Sequence, residues 1–292
     1  MLYWTPTGSD NDYNLKNGKL SSDGEPLFLD ADITLVATQA VHEKDSFDEK
    51  YDENADYAFS GNSDSTGLEN NTDTAAMTVE IASAEQLLAF AQAVNSGNTY
   101  EGYTVKLTSD VGLGGYDWQP IGADTGANVF AGSFDGNGHT VRGLTVDVEE
   151  NAGLFGCVIG DIANVNVDGA YIKSQSRAGG IVAFAYGDVT GCSVTNTIIE
   201  AIDESGASGG NAGSIVGESG DGVFAITGNT AQKVRLTANR DCGVIAGSVS
   251  ADTSAAMADN TADNVGVKWS GYGAEGENIG PNPENAHVGV VR

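Results

Sequence analysis

Ala152-Gly153-Leu154-Phe155-Gly156 is followed, at intervals of 27 to 34 residues, by Gly179-Gly180-Ile181-Val182-Ala183, Gly213-Ser214-Ile215-Val216-Gly217 and Gly243-Val244-Ile245-Ala246-Gly247. Self-similarity at that period is the signature of one small supersecondary unit laid down repeatedly, as in a solenoid. A second phrase runs in parallel with the first. It pairs apolar or small residues across a two-residue corner: His139-x-Val141-x-x-Leu144-x-Val146, Val165-x-Val167-x-x-Ala170-x-Ile172 and Cys192-x-Val194-x-x-Thr197-x-Ile199, then Asn229-x-Ala231-x-x-Val234-x-Leu236 and Asn260-x-Ala262-x-x-Val265-x-Val267. A spacing of two puts both members of a pair on one strand face, and the intervening residues let the chain turn. Five copies in register imply five stacked rungs.

A single rung of short strands buries almost nothing. Stacked at strand spacing, rungs share continuous hydrogen-bond ladders and a core of aliphatic columns. Segments of variable length, such as Ile199 to Ile215, suit loops leaving one corner while the strands keep register. These features predict an all-β parallel β-helix. Leucine-rich repeats and propellers fit less well, because no leucine-asparagine consensus and no helix-period segment separates the phrases.

Forty glycines against five prolines supply corners with positive φ, and 292 residues suffice for a substantial core. With 41 acidic and 13 basic residues the net charge is −28, which excludes nucleic acid as a partner and disfavours anionic membrane faces. The simplest role for this charge is a solvated surface that keeps a long β protein soluble and discourages edge pairing. Salt adaptation, or loose calcium binding by carboxylate-rich loops, is the sharper alternative. No run of about eighteen apolar residues exists, so no membrane insertion is expected. Met1-Leu2-Tyr3-Trp4-Thr5-Pro6 has neither a basic start nor an apolar stretch. No signal peptide is visible, and the expectation is a chain that begins after one or belongs to something longer.

Four regions separate along the chain. Residues 1–75 read as an acidic, irregular extension or linker with one short strand-like segment, Ile33-Thr34-Leu35-Val36. Residues 76–102 hold the one convincing helix, from Ser83 to Val94. Ser83 is placed to N-cap it and Gln86 to complete a capping box, with Leu87, Phe90, Ala91 and Val94 on one stripe. Such a helix is what the exposed end of a solenoid requires as a cap. The repeat array spans 103–270, and 271–292 reads as a weakly ordered tail.

The stretch from Ala82 to Gly156 resembles the opening of bacterial surface proteins that carry the GLUG repeat. The residues that carry the likeness are the helix, the strand Tyr103-Thr104-Val105-Lys106-Leu107, the segment Trp118-Gln119-Pro120-Ile121-Gly122, the block from Phe130 to Leu144 that contains Phe134-Asp135-Gly136-Asn137-Gly138-His139, and the Ala152–Gly156 phrase. The resemblance implies a right-handed parallel β-helix in secreted or wall-attached, adhesin-like proteins, without demonstrated catalysis. No catalytic residue comes with the motif. The match decays in later rungs, and residues 1–75 lie outside it.

Right-handed β-helices also host polysaccharide lyases and hydrolases, so fold alone leaves catalysis open. Lyase chemistry needs a calcium site and a cationic base, and inverting hydrolysis needs carboxylates on adjacent rungs. Among Lys106, Arg142, Lys173, Arg177, Lys233, Arg235, Arg240 and Lys268, the sequence shows no two in an evident column with an acidic cluster. Net charge −28 would also repel a polyuronate. His139 lies near Asp135 in sequence but shares a column with Val165, Cys192, Asn229 and Asn260, which predicts a hydrogen-bonded structural histidine. Asn229 and Asn260 are expected to bond to each other across rungs. Asp135-Gly136-Asn137-Gly138 reads as a glycine turn rather than a calcium loop. Cys157, Cys192 and Cys242 lack metal-ligand spacing, and Cys192 falls at a core position. Threonines do not recur at one outward position in successive rungs, which argues against an ice-binding face.

The repeat pattern together with the resemblance leads to the expectation of a non-enzymatic extracellular or cell-surface repeat domain with no cofactor. It would serve as a stalk or adhesin-like module of a larger bacterial surface protein, contacting a host or microbial glycan or protein. The candidate stacking platforms for a sugar are Tyr116, Trp118, Tyr186 and Tyr272, and contacts are expected on the loops at 200–212 and 248–258. A polysaccharide lyase or glycoside hydrolase is the competing reading.

Overall fold

Inward-pointing residues of equivalent strands stack directly on one another, and this stacking organises everything else. The computed structural model describes residues 67–271 except 124–125, 127, 204–209, 250–252 and 254–256, together with the backbone of Ala274–Asn278 and Val288–Val291. The Ile33–Val36 segment lies outside the described residues, as does most of the 1–75 extension. The chain enters through β1 (Thr72–Asp73) and β2 (Thr78–Ile81), then α1 (Ala84–Asn95), β3 (Thr104–Leu107) and β4 (Val111–Gly112). Two full turns follow. The first is β5 (Ser133–Asp135), β6 (Thr140–Arg142), β7 (Thr145–Val148), β8 (Asn151–Ala152) and β9 (Phe155–Val158). The second is β10 (Ile162–Ala163), β11 (Asn166–Asp168), β12 (Tyr171–Ser174), β13 (Arg177–Gly179) and β14 (Val182–Ala185). In the next two turns the pairing runs unbroken across the corner, so one strand spans both sides of it: β15 (Val189–Thr190), β16 (Ser193–Ala201), β17 (Asn211–Gly213) and β18 (Val216–Ser219), then β19 (Ile226–Thr227), β20 (Thr230–Ala238), β21 (Asp241–Gly243) and β22 (Ala246–Val249). The last described elements are β23 (Thr261–Asp263), β24 (Gly266–Gly271), β25 (Ala274–Asn278) and β26 (Val288–Val291).

Equivalent strands pair in parallel into four ladders, forming a parallel β-solenoid of about six turns. The first ladder runs β2-β3-β5-β10-β15-β19, and its register stacks Val79, Val105, Phe134, Ile162, Val189 and Ile226, all buried. The second carries β4, β6, β11, β16, β20 and β23 through Val111, Val141, Val167, Val194, Ala231 and Ala262. Past the corner it continues through Val146, Ile172, Ile199, Leu236 and Val267. The third is β8-β13-β17-β21 and the fourth β9-β14-β18-β22-β26. Five expected rungs become about six turns because β2 and β3 add a ladder step ahead of the first recognisable phrase.

The corner between β6 and β7 shows why the chain turns where it does. Its column reads Gly143, Gly169, Asn196, Lys233 and Asn264, and every member has positive φ, between 50° and 70°. Glycine and asparagine tolerate that conformation, whereas Lys233 adopts it against its intrinsic preference.

The Gly-apolar-apolar-Gly phrase spans β8 to β9 and its counterparts. Phe155, Val182, Val216 and Ala246 stack as the phrase predicts, but Ala152 pairs with Ala178 rather than with Gly179. The first corner is thus one residue shorter than the others. Glycine is required here because backbones touch: a Cβ on Gly179 would lie 2.1 Å from the Val182 carbonyl oxygen, and one on Gly156 would lie 2.4 Å from that of Gly122.

Helix α1 connects β2 to the parallel strand β3, taking the place of three ladders in the first turn. The Ser83 hydroxyl accepts the Gln86 N–H at 3.3 Å, and Gln86 Oε1 in turn accepts the N–H of Ala82 rather than of Ser83, at 2.7 Å. Leu87, Phe90, Ala91 and Val94 are buried. Phe90 packs on Tyr100, Phe130 and Phe134 at centroid distances of 4.9, 5.6 and 6.3 Å, closing the end of the core. Within 67–75, Leu68 joins the core and β1 pairs antiparallel with β2. Within 271–292, β25 folds back antiparallel on β24 while β26 extends the fourth ladder.

Candidate ligand-binding face

The four aromatic candidates do not form one surface. Trp118 is a correction: it is 1% exposed, sits in the core, and its indole Nε1 has no hydrogen-bond partner among the described residues. Asp117 and Gln119 on either side face outward, so alternation along this segment turns the indole inward. Tyr116 lies half-buried against the core with its hydroxyl donating to Glu85 Oε1 at 2.8 Å, which raises the phenol's pKa. Tyr186 is half-buried in another place, packed on Phe184 at 4.7 Å and Phe224 at 6.4 Å. Tyr272 and much of the 200–212 and 248–258 loops lie outside the described residues.

His139 is half-buried at its column position. Its Nδ1 approaches Asp110 Oδ1 at 3.3 Å rather than Asp135, whose carboxylate instead accepts the Asn137 N–H at 2.9 Å and the Asn164 amide at 3.1 Å. Asp110 also accepts the Thr140 N–H at 3.0 Å and Arg142 at 2.7 Å. The Arg142 guanidinium, more than any other neighbour, holds the Asp110 carboxyl down to about 2. Asn137 and Gly138 both have positive φ, forming the glycine turn. Cys192 is buried, and desolvation pushes its thiol up to about 12. Among the described residues, no group of three or more His, Cys, Asp or Glu side chains gathers in an arrangement able to hold a metal ion.

The outward face of the second sheet carries residues in register over successive turns. Its columns follow from the ladder registers: Thr140, Asn166, Ser193, Thr230, Thr261; then Arg142, Asp168, Thr195, Gln232, Asp263. Beyond the corner run Thr145, Tyr171, Ile198, Arg235, and beside them Asp147, Lys173, Glu200, Thr237, Lys268. The first two columns bond along themselves: Ser193 Oγ to Asn166 at 2.6 Å, Thr195 Oγ1 to Asp168 at 2.7 Å, Thr230 to Thr261 at 3.0 Å, and Gln232 to Asp263 at 3.0 Å. The bond from Thr195, then that from Asn196, lowers the Asp168 pKa. Threonine occupies three of five positions in the outermost column, with asparagine and serine between.

Past the corner the surface changes character. Tyr171 and Ile198 are ladder partners on adjacent turns, and each is 38% exposed. The Tyr171 hydroxyl donates to Glu200 Oε2 at 3.0 Å, and Lys173 Nζ lies 3.8 Å from Asp147 Oδ2. Beside them is a cleft of about 320 Å³ bounded by Asp147, Val148, Glu149, Lys173, Ser174 and Gln175. The sequence reading missed Tyr171. The signal was present, since residue 171 precedes the inward Ile172 and strand alternation sends it outward.

The third and fourth ladders hold an ion pair with a buried carboxylate that sequence spacing conceals. Arg177 Nε lies 2.8 Å from Glu218 Oε2, which also accepts the Asn211 amide at 2.7 Å, and the guanidinium stacks 4.3 Å above the Phe184 ring. Glu218 is 6% and Asn211 2% exposed.

No family model matches the chain, and no curated protein does. Among solved structures, the chain is similar to a crystal structure from Bacteroides ovatus described as a "putative immunoglobulin A1 protease", with 17% identity, a TM-score of 0.44, and coverage of 74% of this chain and 84% of that one.

Proposed function

We propose that this chain is a non-catalytic repeat domain of a bacterial surface protein: a stiff spacer that presents the outer face of its second sheet to a glycan or protein. One observation carries the reading. Four outward columns run in register over successive turns of a hydrogen-bonded ladder, so the surface is preorganised and loses little conformational entropy on contact. The GLUG-like block supports membership of an adhesin-like family, and with it an extracellular or wall-attached setting. In that block Gly132 and Gly136 sit where an added Cβ would lie 2.5 Å from the Tyr100 carbonyl oxygen and 2.4 Å from Val165 Cα. This reading moves ligand contact from the loops at 200–212 and 248–258 to the sheet.

The test is a screen of the purified domain against a glycan array and a panel of surface proteins, run beside assays for new reducing ends and unsaturated sugar products. Binding without product is the expected result. Product release would overturn the non-catalytic reading in favour of a lyase or hydrolase, and silence throughout would remove the recognition role and leave the spacer.

A further inference from the structure

We infer that Tyr171 and the adjoining cleft form a binding site for an uncharged hexose chain; the inference rests on the recognition role proposed above and names its ligand class. Glu200 is the ladder partner of Lys173, not of Tyr171, so the Tyr171–Glu200 bond carries the hydroxyl diagonally onto the next turn. The bond tethers the ring at its far end while the side chain stays partly open to water. A tethered, partly exposed aromatic ring beside exposed Ile198 suits the apolar face of a pyranose and costs little side-chain entropy to use.

The cleft supplies the polar half. Its volume of about 320 Å³ is at the lower end of the range for small-ligand sites, suited to one or two sugar units rather than a folded partner. Carboxylates at Asp147 and Glu149, the Lys173 ammonium and the Gln175 amide offer acceptors and donors for hydroxyl groups. Two carboxylates against one ammonium, on a chain of net charge −28, disfavour uronate, sulfated or sialylated chains. Neutral sugars satisfy the hydrogen-bonding groups without that repulsion.

Native gel electrophoresis through gels containing a soluble β-glucan, mannan, galactan or polygalacturonate tests this with the full chain. Retardation by at least one neutral polymer is expected. Tyr171→Ala should weaken it about tenfold or more, Ile198→Ala should weaken it less, and Tyr171→Phe should keep most of it. Both positions are exposed, and unchanged far-UV circular dichroism and melting would show that the fold persists. Retardation by neutral polymer that survives Tyr171→Ala overturns this site while leaving the recognition role standing. Retardation by polygalacturonate alone overturns the ligand class. No retardation by any polymer overturns the inference, and the array and protein panel then decide whether the broader role fails with it.

Discussion

Asn229 Nδ2 donates to Oδ1 of Asn260, one turn further along the solenoid, at 3.1 Å. Each amide also clasps the turn before it. Asn229 Oδ1 accepts the Cys192 N–H at 2.9 Å and its Nδ2 reaches the Val189 carbonyl at 2.9 Å; Asn260 Oδ1 accepts the Asn229 N–H at 3.0 Å and its Nδ2 reaches the Ile226 carbonyl at 2.7 Å. This asparagine ladder pins the corner where β15 passes to β16 and β19 to β20.

Removing the inner rung should be costly. Asn229 is fully buried, and Asn229→Ala leaves the Cys192 N–H without its acceptor and breaks the amide's bonds to Val189 and Asn260, for an expected loss of about 3 kcal/mol. Asn260→Ala, at a half-buried position, should cost less. Urea unfolding midpoints compare them, and equal losses would count against the ladder.

At the capped end, Phe90→Ala should destabilise by about 3–5 kcal/mol, because Phe90 is fully buried among Tyr100, Phe130 and Phe134. Ser83→Ala removes only the N-cap and should cost about 1 kcal/mol. Chemical denaturation that ranks the two the other way would contradict the capping role.

Lys233 occupies a left-handed corner, φ 53°, in a column otherwise filled by glycine and asparagine. Lys233→Gly should raise stability by about 0.5–1 kcal/mol, relief of the Cβ clash outweighing the added chain entropy. Gly169→Ala meets no atom within 4 Å, yet should lose about 1–2 kcal/mol from its φ of +68° alone. Thermal unfolding of both variants is the check.

The Asp110–Arg142 pair predicts a pH dependence with a defined sign. A carboxyl held at about 2 in the folded chain, below its ordinary 3.8, contributes stability that is fully present above about pH 4 and lost as pH falls toward 2. Asp110→Asn should flatten that part of the stability profile and leave the profile above pH 5 unchanged in shape. Carboxyl chemical shifts followed through an acid titration measure the same depression directly.

Arg177 and Glu218 test the hidden side. Arg177→Ala leaves a buried carboxylate without its guanidinium and should cost about 2–3 kcal/mol, below the range for a fully buried pair because the arginine is 27% exposed. Glu218→Gln keeps the shape and should cost less. A double-mutant cycle read by denaturant unfolding reports the coupling.

Much of this architecture was legible residue by residue. The column His139, Val165, Cys192, Asn229, Asn260 survives intact in the corner hydrogen bonds, Ser193 to Val165, Thr230 to Cys192 and Thr261 to Asn229. The asparagine ladder follows from it. The helix cap was equally plain, from Ser83 to its buried stripe. What sequence alignment placed one residue off was Ala152, because glycines let a corner shorten without disturbing the aliphatic columns on either side.

The candidate site was less legible. Trp118 reads as a platform candidate because an aromatic between two polar residues gives no sign of what covers it, and Tyr171 fills an unspecified position of the second phrase, between Ala170 and Ile172. The sequence alone determined the repeat period, the inward columns and the corners, since alternation and positive-φ residues are local properties that each turn states again. Only the tertiary structure decided which outward residues meet. Tyr171 reaches Glu200 across 29 positions and Arg177 reaches Glu218 across 41, contacts made by the stacking of whole turns whose loops vary in length.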